Sequence, residues 1–293
     1  MALADQFAGL LIDLDGVVWI GREPVPGSPE ALAELLAAGK DVCFVTNNPT
    51  RRPAEYAERL AQLGVAVGPE RVVTAGLVAA RLAGAAADGG TAFVIGARTL
   101  HEMVAEAGAE VLEGEAGREA RVVVVSGHRG FNYDELLTAK LALDGGAALL
   151  ATSRDPTLPM PGGEWPGTGA VLAAVETASG RRAEIAGKPE HHLFEMALAA
   201  LGRGSLRTHG DHSEPGEEVP AGRGSSRPAG DRKEPRQGRV AMVGDRLASD
   251  IEGGRGAGLA TVMVLSGADS RADAERAEPG PDHVVADLAA LLR

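Results

Sequence analysis

Cysteine occurs once in 293 residues, at Cys43. A single thiol excludes an intrachain disulfide framework and a multi-cysteine zinc site. Aromatic residues make up only 3% of the chain. That argues against an all-β sandwich and against a nucleic-acid surface lined with stacking rings. Basic residues are outnumbered, 29 Lys and Arg against 41 Asp and Glu, for a net charge of −12. Such a balance opposes general affinity for nucleic-acid backbones or anionic membranes. No apolar run approaches the roughly 18 residues of a membrane span. At the N-terminus, Leu10, Leu11 and Ile12 are cut off by Asp13 and Asp15, and no basic segment precedes them, so no secretory signal is expected. Asn48-Pro49-Thr50 is not a glycosylation acceptor, because proline fills its middle position. These absences lead to the expectation of a cytoplasmic protein with neither membrane nor nucleic-acid partners. No internal repeat of fixed period is found.

What is there is a globular composition, 44% hydrophobic and 24% charged. Its length suits one large domain or two ordinary ones. Short apolar runs alternate with helical patterns. Leu10–Leu14, Val42–Val45, Phe93–Ile95, Val122–Val125, Leu149–Ala151, Val240–Val243 and Thr261–Leu265 read as buried strands. Between them, Ser28-Pro29 reads as an N-cap and first turn, with Gly39 closing that helix. Pro53–Leu63, Tyr133–Leu143, Gly169–Thr177 and Pro189–Leu201 carry helical spacing. Strand–helix alternation predicts an α/β fold with a mainly parallel sheet covered on both faces. Arg203–Gly238 breaks the pattern. Its apolar side chains are only Leu206, Val219, Ala221 and Ala229, and Gly, Pro, Ser, Arg and Glu fill the rest. Burial there cannot offset ordering entropy, so 203–238 is expected to be a disordered, low-complexity insertion. His209 and His212 within it make too weak a cage for a metal.

Chemistry concentrates at strand ends. The first strand ends Asp13-Leu14-Asp15-Gly16, and positions i and i+2 of a strand face one side. Two carboxylates this close need a cation or a shared proton, unless they are only turn formers before Gly16. A second strand ends Thr46-Asn47-Asn48, a hydroxyl and amides that hold an anion or shape a turn. Lys188 precedes Pro189, with no upstream glycine frame of a phosphate-binding P-loop. Val240–Val243 runs into Gly244-Asp245, and Asp250 follows. Together these clusters can assemble a magnesium site beside an anion site.

In order and context, the four clusters resemble the motifs of the haloacid dehalogenase superfamily. Asp15–Trp19, Val73–Gly76, Phe131–Tyr133, Ala151–Asp155 and Pro166–Gly169 are further similar to the NagD-type phosphatases. The resemblance implies a Rossmann-like, three-layer parallel-sheet core with an inserted α/β cap. The core would be 1–82 with 183–293, and the substrate-selecting cap 83–182. It also implies a magnesium-dependent phosphatase of small phosphorylated metabolites: sugar phosphates, nucleoside monophosphates, phosphoglycolate or pyridoxal phosphate. Asp13 would attack phosphorus and form a phospho-aspartate, while Asp15 protonates the leaving oxygen and then activates water. Asp13, the Asp15 carbonyl and Asp245 would hold Mg²⁺. Asp250 would support the metal or the lysine. Thr46, Lys188 and the backbone amides of Leu14 and Asn47 would take the phosphate. A homodimer formed through the cap is compatible with the resemblance. Ser153-Arg154 replaces the usual Asn-Pro, and Ser126–Gly130 is off pattern, which leaves the substrate open. His128, Arg154 and Glu164 are candidates for substrate contact.

Rival classes are a phosphoaspartate receiver, a phosphotransferase or phosphomutase, and a non-catalytic binding protein. A receiver needs only one small domain, with its acceptor on a middle strand. Other signals have plainer explanations. Gly253–Gly258 follows a helix and precedes a strand, so a helix end and tight turn are expected rather than a dinucleotide loop. Cys43 is expected to be an inert core residue. His191 and His192 are expected on a solvated first turn, not converging on a metal.

Overall fold

The computed structural model describes residues 2–160, 163–202 and 239–293. The expected insertion 203–238, with His209 and His212, lies outside the described residues. Six strands form one wholly parallel sheet, in the order His283–Val285, Ala260–Val264, Val240–Gly244, Gly9–Asp13, Asp41–Thr46, Val72–Thr74. Alternate residues serve its two faces, as a two-residue period requires. Leu10, Ile12, Val42, Phe44, Ala241 and Val243 pack on one side, with Leu32, Leu35, Tyr56 and Leu60 of the helices Ser28–Ala37 and Pro53–Gln62. Leu11, Cys43, Val45 and Met242 face the other side, against Ala79 and Ala83 of Ala75–Ala87 and Phe194 and Ala197 of His191–Ala200. The result is the three-layer α/β core expected from the sequence.

A second, five-stranded parallel sheet is built from chain between the Val72–Thr74 and Val240–Gly244 strands. Its order is Glu184–Ile185, Ala148–Ala151, Val122–Val125, Thr91–Ile95, Glu110–Leu112. One face, with Ile95, Val123 and Ala151, packs on Ala139, Leu143, Leu172 and Val175. The opposite face, with Val94, Val124 and Leu150, joins the same cluster as Ala79 and Leu11. The Ala75–Ala87 helix is therefore shared by both sheets. Its small side chains permit this, since alanine and glycine let backbones approach closely. Two antiparallel hairpins, Trp19–Ile20 with Glu23–Pro24 and Thr157–Met160 with Gly163–Pro166, complete the strands of the described residues.

Several expectations shift at element ends. The first strand stops at Asp13, so Asp15 lies past it in an isolated bridge with Trp19. Gly27, not Ser28, caps the Ser28–Ala37 helix, and the Ser28 hydroxyl instead donates to the Val17 carbonyl at 2.8 Å. Pro189 stands ahead of the His191–Ala200 helix rather than in its first turn. Gly258 makes the anticipated left-handed turn (φ 71°), but Gly253 and Gly254 lie inside a short helix, Glu252–Gly256, pressed on Phe194 and Met242. The strand Glu184–Ile185 of the second sheet falls just beyond residue 182, and Ala75–Ala87 spans residue 82. Among the described residues, no helix is long and apolar enough to cross a membrane.

Candidate active site

Parallel register aligns the C-terminal ends of the central strands. Asp13 lies opposite Val45, one residue before Thr46, and Ile12 lies opposite Val243, just before Gly244-Asp245. Ligands of open α/β sheets bind at such ends. Lys188 reaches the same point from the segment that follows the Glu184–Ile185 strand. Its Nζ donates to Asp13 Oδ1 at 2.5 Å and to Asp250 Oδ1 at 2.6 Å. Asp250 is delivered by a π-helical turn, Leu247–Ile251, where the Asp250 and Ile251 amides both donate to the Arg246 carbonyl. The other Asp250 oxygen accepts the Arg246 amide at 3.0 Å, so the carboxylate is held from both sides. Such one-turn π insertions recur at functional sites.

Asp13, Lys188, Asp245 and Asp250 are all buried, each at most 5% exposed. Burial, together with the neighbouring Asp250, Asp245 and Asp15, raises the Asp13 pKa well above the carboxylate range, against the pull of Lys188. Burial and Asp250 push Asp245 up to about 7. Burial opposes the charge on Lys188, but Asp13 and Asp250 outweigh it and hold that pKa above its ordinary value. Oxygens of Asp13, Asp245 and Asp250 lie within 4.8 Å of one another. Asp245 Oδ2 accepts the Ala268 amide at 2.7 Å, but Asp245 Oδ1 is buried with no hydrogen-bond partner among the described residues. Three carboxylates against one ammonium, with one acceptor left unpaired, is a donor set suited to a hard divalent cation. Glycine backbone packs directly against it. Gly16, at φ 89°, and Gly267 approach so closely that a Cβ on either would overlap Asp245 Oδ2.

The structure gives the other predicted site residues specific partners. Asp15 shares the cavity with Asp13, and each of its carboxylate oxygens has a donor. Oδ1 accepts the Trp19 indole N–H at 3.0 Å and Oδ2 accepts the Thr46 hydroxyl at 3.2 Å. Thr46 Oγ1 in turn accepts the Asn48 amide at 3.0 Å. The Asn47 side chain clamps Lys188 by its own peptide groups, accepting Lys188 N–H at 2.8 Å and donating to the Lys188 carbonyl at 3.0 Å. It also donates to Asp155 Oδ2 at 2.9 Å, which ties the first sheet to the segment after the second sheet's Ala148–Ala151 strand. The sequence points to Asn47 through its backbone amide, and it does not single out Asp155. The place of Asp155 in the Ala151–Asp155 motif is the available signal.

A cavity of about 1320 Å³ opens in front of these groups. Asp13, Asp15, Thr46, Lys188 and Asp245 line one side, and His128, Arg129, Phe131, Glu164 and Trp165 line the other. The Arg129 guanidinium lies 4.1 Å from the Trp165 ring centroid. His128 Nε2 is 3.1 Å from Glu135 Oε2. Arg154 does not line the cavity, being taken by Glu176 at 2.8 Å. Cys43 is fully buried with its pKa pushed up to about 12 by burial, in keeping with an inert core residue. His191 and His192 do converge, contrary to expectation. Their rings are 4.0 Å apart, their ligand atoms and that of Glu195 lie within 4.8 Å, and His192 Nε2 pairs with Glu184 at 2.8 Å. The two rings are tilted by 39° to one another.

A parallel α/β core with strand-end carboxylates around a buried lysine defines a recognisable class, and the sequence agrees with it. Residues 10–110 match the haloacid dehalogenase-like hydrolase family, and residues 185–291 match the HAD-hydrolase-like family. Mouse chronophin is 37% identical over 280 residues, covering 92% of this chain and 85% of the relative. D-glycerol 3-phosphate phosphatase of Mycobacterium tuberculosis is 36% identical over 294 residues, covering 99% and 72%. Among solved structures, p-nitrophenyl phosphatase from Archaeoglobus fulgidus superposes with a TM-score of 0.80 at 28% identity, covering 97% of this chain and 98% of that one. A magnesium complex of M. tuberculosis glycerol phosphate phosphatase gives a TM-score of 0.80 at 33% identity, covering 100% and 78%. The chain belongs to the haloacid dehalogenase-like hydrolases.

Proposed function

We propose that this chain is a magnesium-dependent phosphatase of small phosphorylated metabolites that works through a phospho-aspartate. The observation that carries this is the buried excess of carboxylate, Asp13, Asp245 and Asp250 against Lys188, with Asp245 Oδ1 unpaired. Asp13, Asp245 and the Asp15 carbonyl would hold the ion, and Asp250 would hold Lys188 in place. A bound magnesium ion supplies positive charge that lets a carboxylate approach a phosphate dianion. Both sheets' contributions to the cavity support a division into a core (1–82 and 183–293) and a cap (83–182) that selects the substrate. The magnesium-complexed relative supports the choice of ion.

In the first step an Asp13 oxygen forms a bond to phosphorus as the bond to the leaving oxygen breaks. That oxygen takes a proton from Asp15. In the second step a water oxygen attacks phosphorus, its proton passes to Asp15, and the Asp13–phosphorus bond breaks to free inorganic phosphate. Lys188 and the Thr46 hydroxyl, with backbone amides of Leu14 and Asn47, offset the charge on the phosphoryl oxygens. On the far wall, Trp165, Arg129, Phe131 and His128 face the rest of the substrate.

The test is a phosphate-release screen with and without magnesium over sugar phosphates, nucleotides, phosphoglycolate and pyridoxal phosphate. Wild type releases phosphate from at least one class only with the ion present. Asp13→Asn lowers turnover by about three orders of magnitude or more and keeps its circular dichroism spectrum. Folded wild type that releases nothing, or an active Asp13→Asn, overturns the proposal.

A further inference from the structure

The pentapeptide Asp15–Trp19 is a closed unit. The Gly16 amide donates to the Trp19 carbonyl at 2.7 Å, and the Val18 and Trp19 amides donate to Leu14. The loop brings the fully buried Trp19 indole back onto the Asp15 carboxylate. Trp19 is itself held by two neighbours. Its ring is parallel to Tyr56 within 5°, and the Arg59 guanidinium lies 3.9 Å from its centroid. Arg59 is anchored in turn by donating to the Gly21 carbonyl at 2.8 Å. A cation over the ring draws electron density from it, which strengthens the indole N–H as a donor.

The donor inventory then separates the two Asp15 oxygens. An indole N–H donates and never accepts, so Oδ1 is permanently the acceptor of Trp19. A hydroxyl both donates and accepts. Thr46 has one hydroxyl hydrogen, which it donates to Oδ2 and surrenders to a phosphoryl oxygen once substrate occupies the proposed site. Oδ2 is then the Asp15 oxygen with no donor against it, and the one better placed to carry a proton. We infer that Trp19 is a positioning residue: by occupying Oδ1 it aims Oδ2 at the leaving group. Oδ2 delivers its proton to the leaving oxygen as the phosphorus–oxygen bond breaks, and regains one from the attacking water. This inference rests on the proposed acid–base role of Asp15.

Leaving-group dependence provides a test that a merely structural Trp19 would not pass. A p-nitrophenolate departs without protonation, whereas an alkoxide requires it. Because kcat/KM reports only steps up to leaving-group departure, it excludes the later hydrolysis. In Trp19→Phe, kcat/KM for glycerol phosphate falls roughly tenfold or more relative to that for p-nitrophenyl phosphate. Should Trp19→Phe fail to fold, benzothienylalanine at position 19 in a Trp165→Phe background removes the N–H while keeping the ring's shape. Equal losses on both substrates, or no loss on either, overturn the inference. Asp15→Asn is the control. If it leaves the substrate ratio unchanged, the acid role of Asp15 fails. If it collapses the ratio while Trp19→Phe does not, only the positioning role fails.

Discussion

Around Lys188 three buried carboxylates share one ammonium, whereas around Glu176 two guanidiniums share one carboxylate. The second cluster is complete by itself. Glu176 accepts Arg154 at 2.8 and 3.0 Å, Arg182 at 2.8 Å and the Ala183 amide at 2.9 Å. Those donors, Arg154 foremost, hold its pKa down to about 2. The first cluster is incomplete, and burial drives its acids the opposite way. Satisfied charge fastens a helix to the segment that follows it. Unsatisfied charge is what a binding site keeps in reserve for its ligand.

The contrast can be broken most severely at Lys188. Lys188→Met strips the one ammonium that the described residues place against three buried acids, and breaking a buried pair costs about 3–5 kcal/mol. Urea denaturation at pH 8 without divalent ions should register that loss. Phosphatase activity should fall by about two orders of magnitude or more. A Lys188→Met protein as stable and active as wild type would erase the distinction between the clusters.

Magnesium sharpens the comparison without mutation. Asp245, pushed up to about 7, stays protonated in the folded protein at pH values where the unfolded chain has already ionised. A folded state that binds more protons loses stability as pH rises, in this case through about pH 7. Cation-free protein should therefore melt lower at pH 8 than at pH 6. Added magnesium should raise the melting temperature more at pH 8, because it binds the ionised acids. Equal shifts at both pH values would contradict this.

Glu176→Gln is the smallest perturbation. Arg154 and Arg182 are 43% and 83% exposed, so solvent screening limits the effect to about 1 kcal/mol. The Glu176 contribution is present above the unfolded carboxylate pKa and is lost as pH falls towards 2. Wild type and Glu176→Gln should thus converge in acid denaturation while differing at pH 7. Turnover should be unaffected, since this cluster does not line the cavity.

Much of the core was readable because burial on both faces leaves runs such as Leu10–Ile12 and Val42–Val45 without polar interruption. The convergence of Asp13, Lys188, Asp245 and Asp250 was readable for a related reason: parallel strands collect their ends at one edge. Asp15 was harder. The strand ends before it, so the two-residue period no longer governs its direction. The Ala75–Ala87 helix carries no polar stripe, being buried between two sheets, and periodicity gives no sign of it. Val72–Thr74 and His283–Val285 are too short to stand out. The side-chain clamp of Asn47 on Lys188 joins residues 141 apart, a contact no local pattern encodes.

The place of Gly9–Asp13 in the sheet bears on how the chain is made. It is synthesised long before one of its partners, yet it is a central strand, and its neighbour on one side is Val240–Gly244. Until that distant partner leaves the ribosome, Leu10, Leu11 and Ile12 form an open apolar edge, the kind that invites pairing with another chain. The same edge ends in Asp13 and Asp15, still without an ammonium that arrives 175 residues after Asp13. Charge at the tip of a sticky strand discourages wrong partners. The carboxylates proposed for catalysis would thus also act as gatekeepers while the chain is still incomplete.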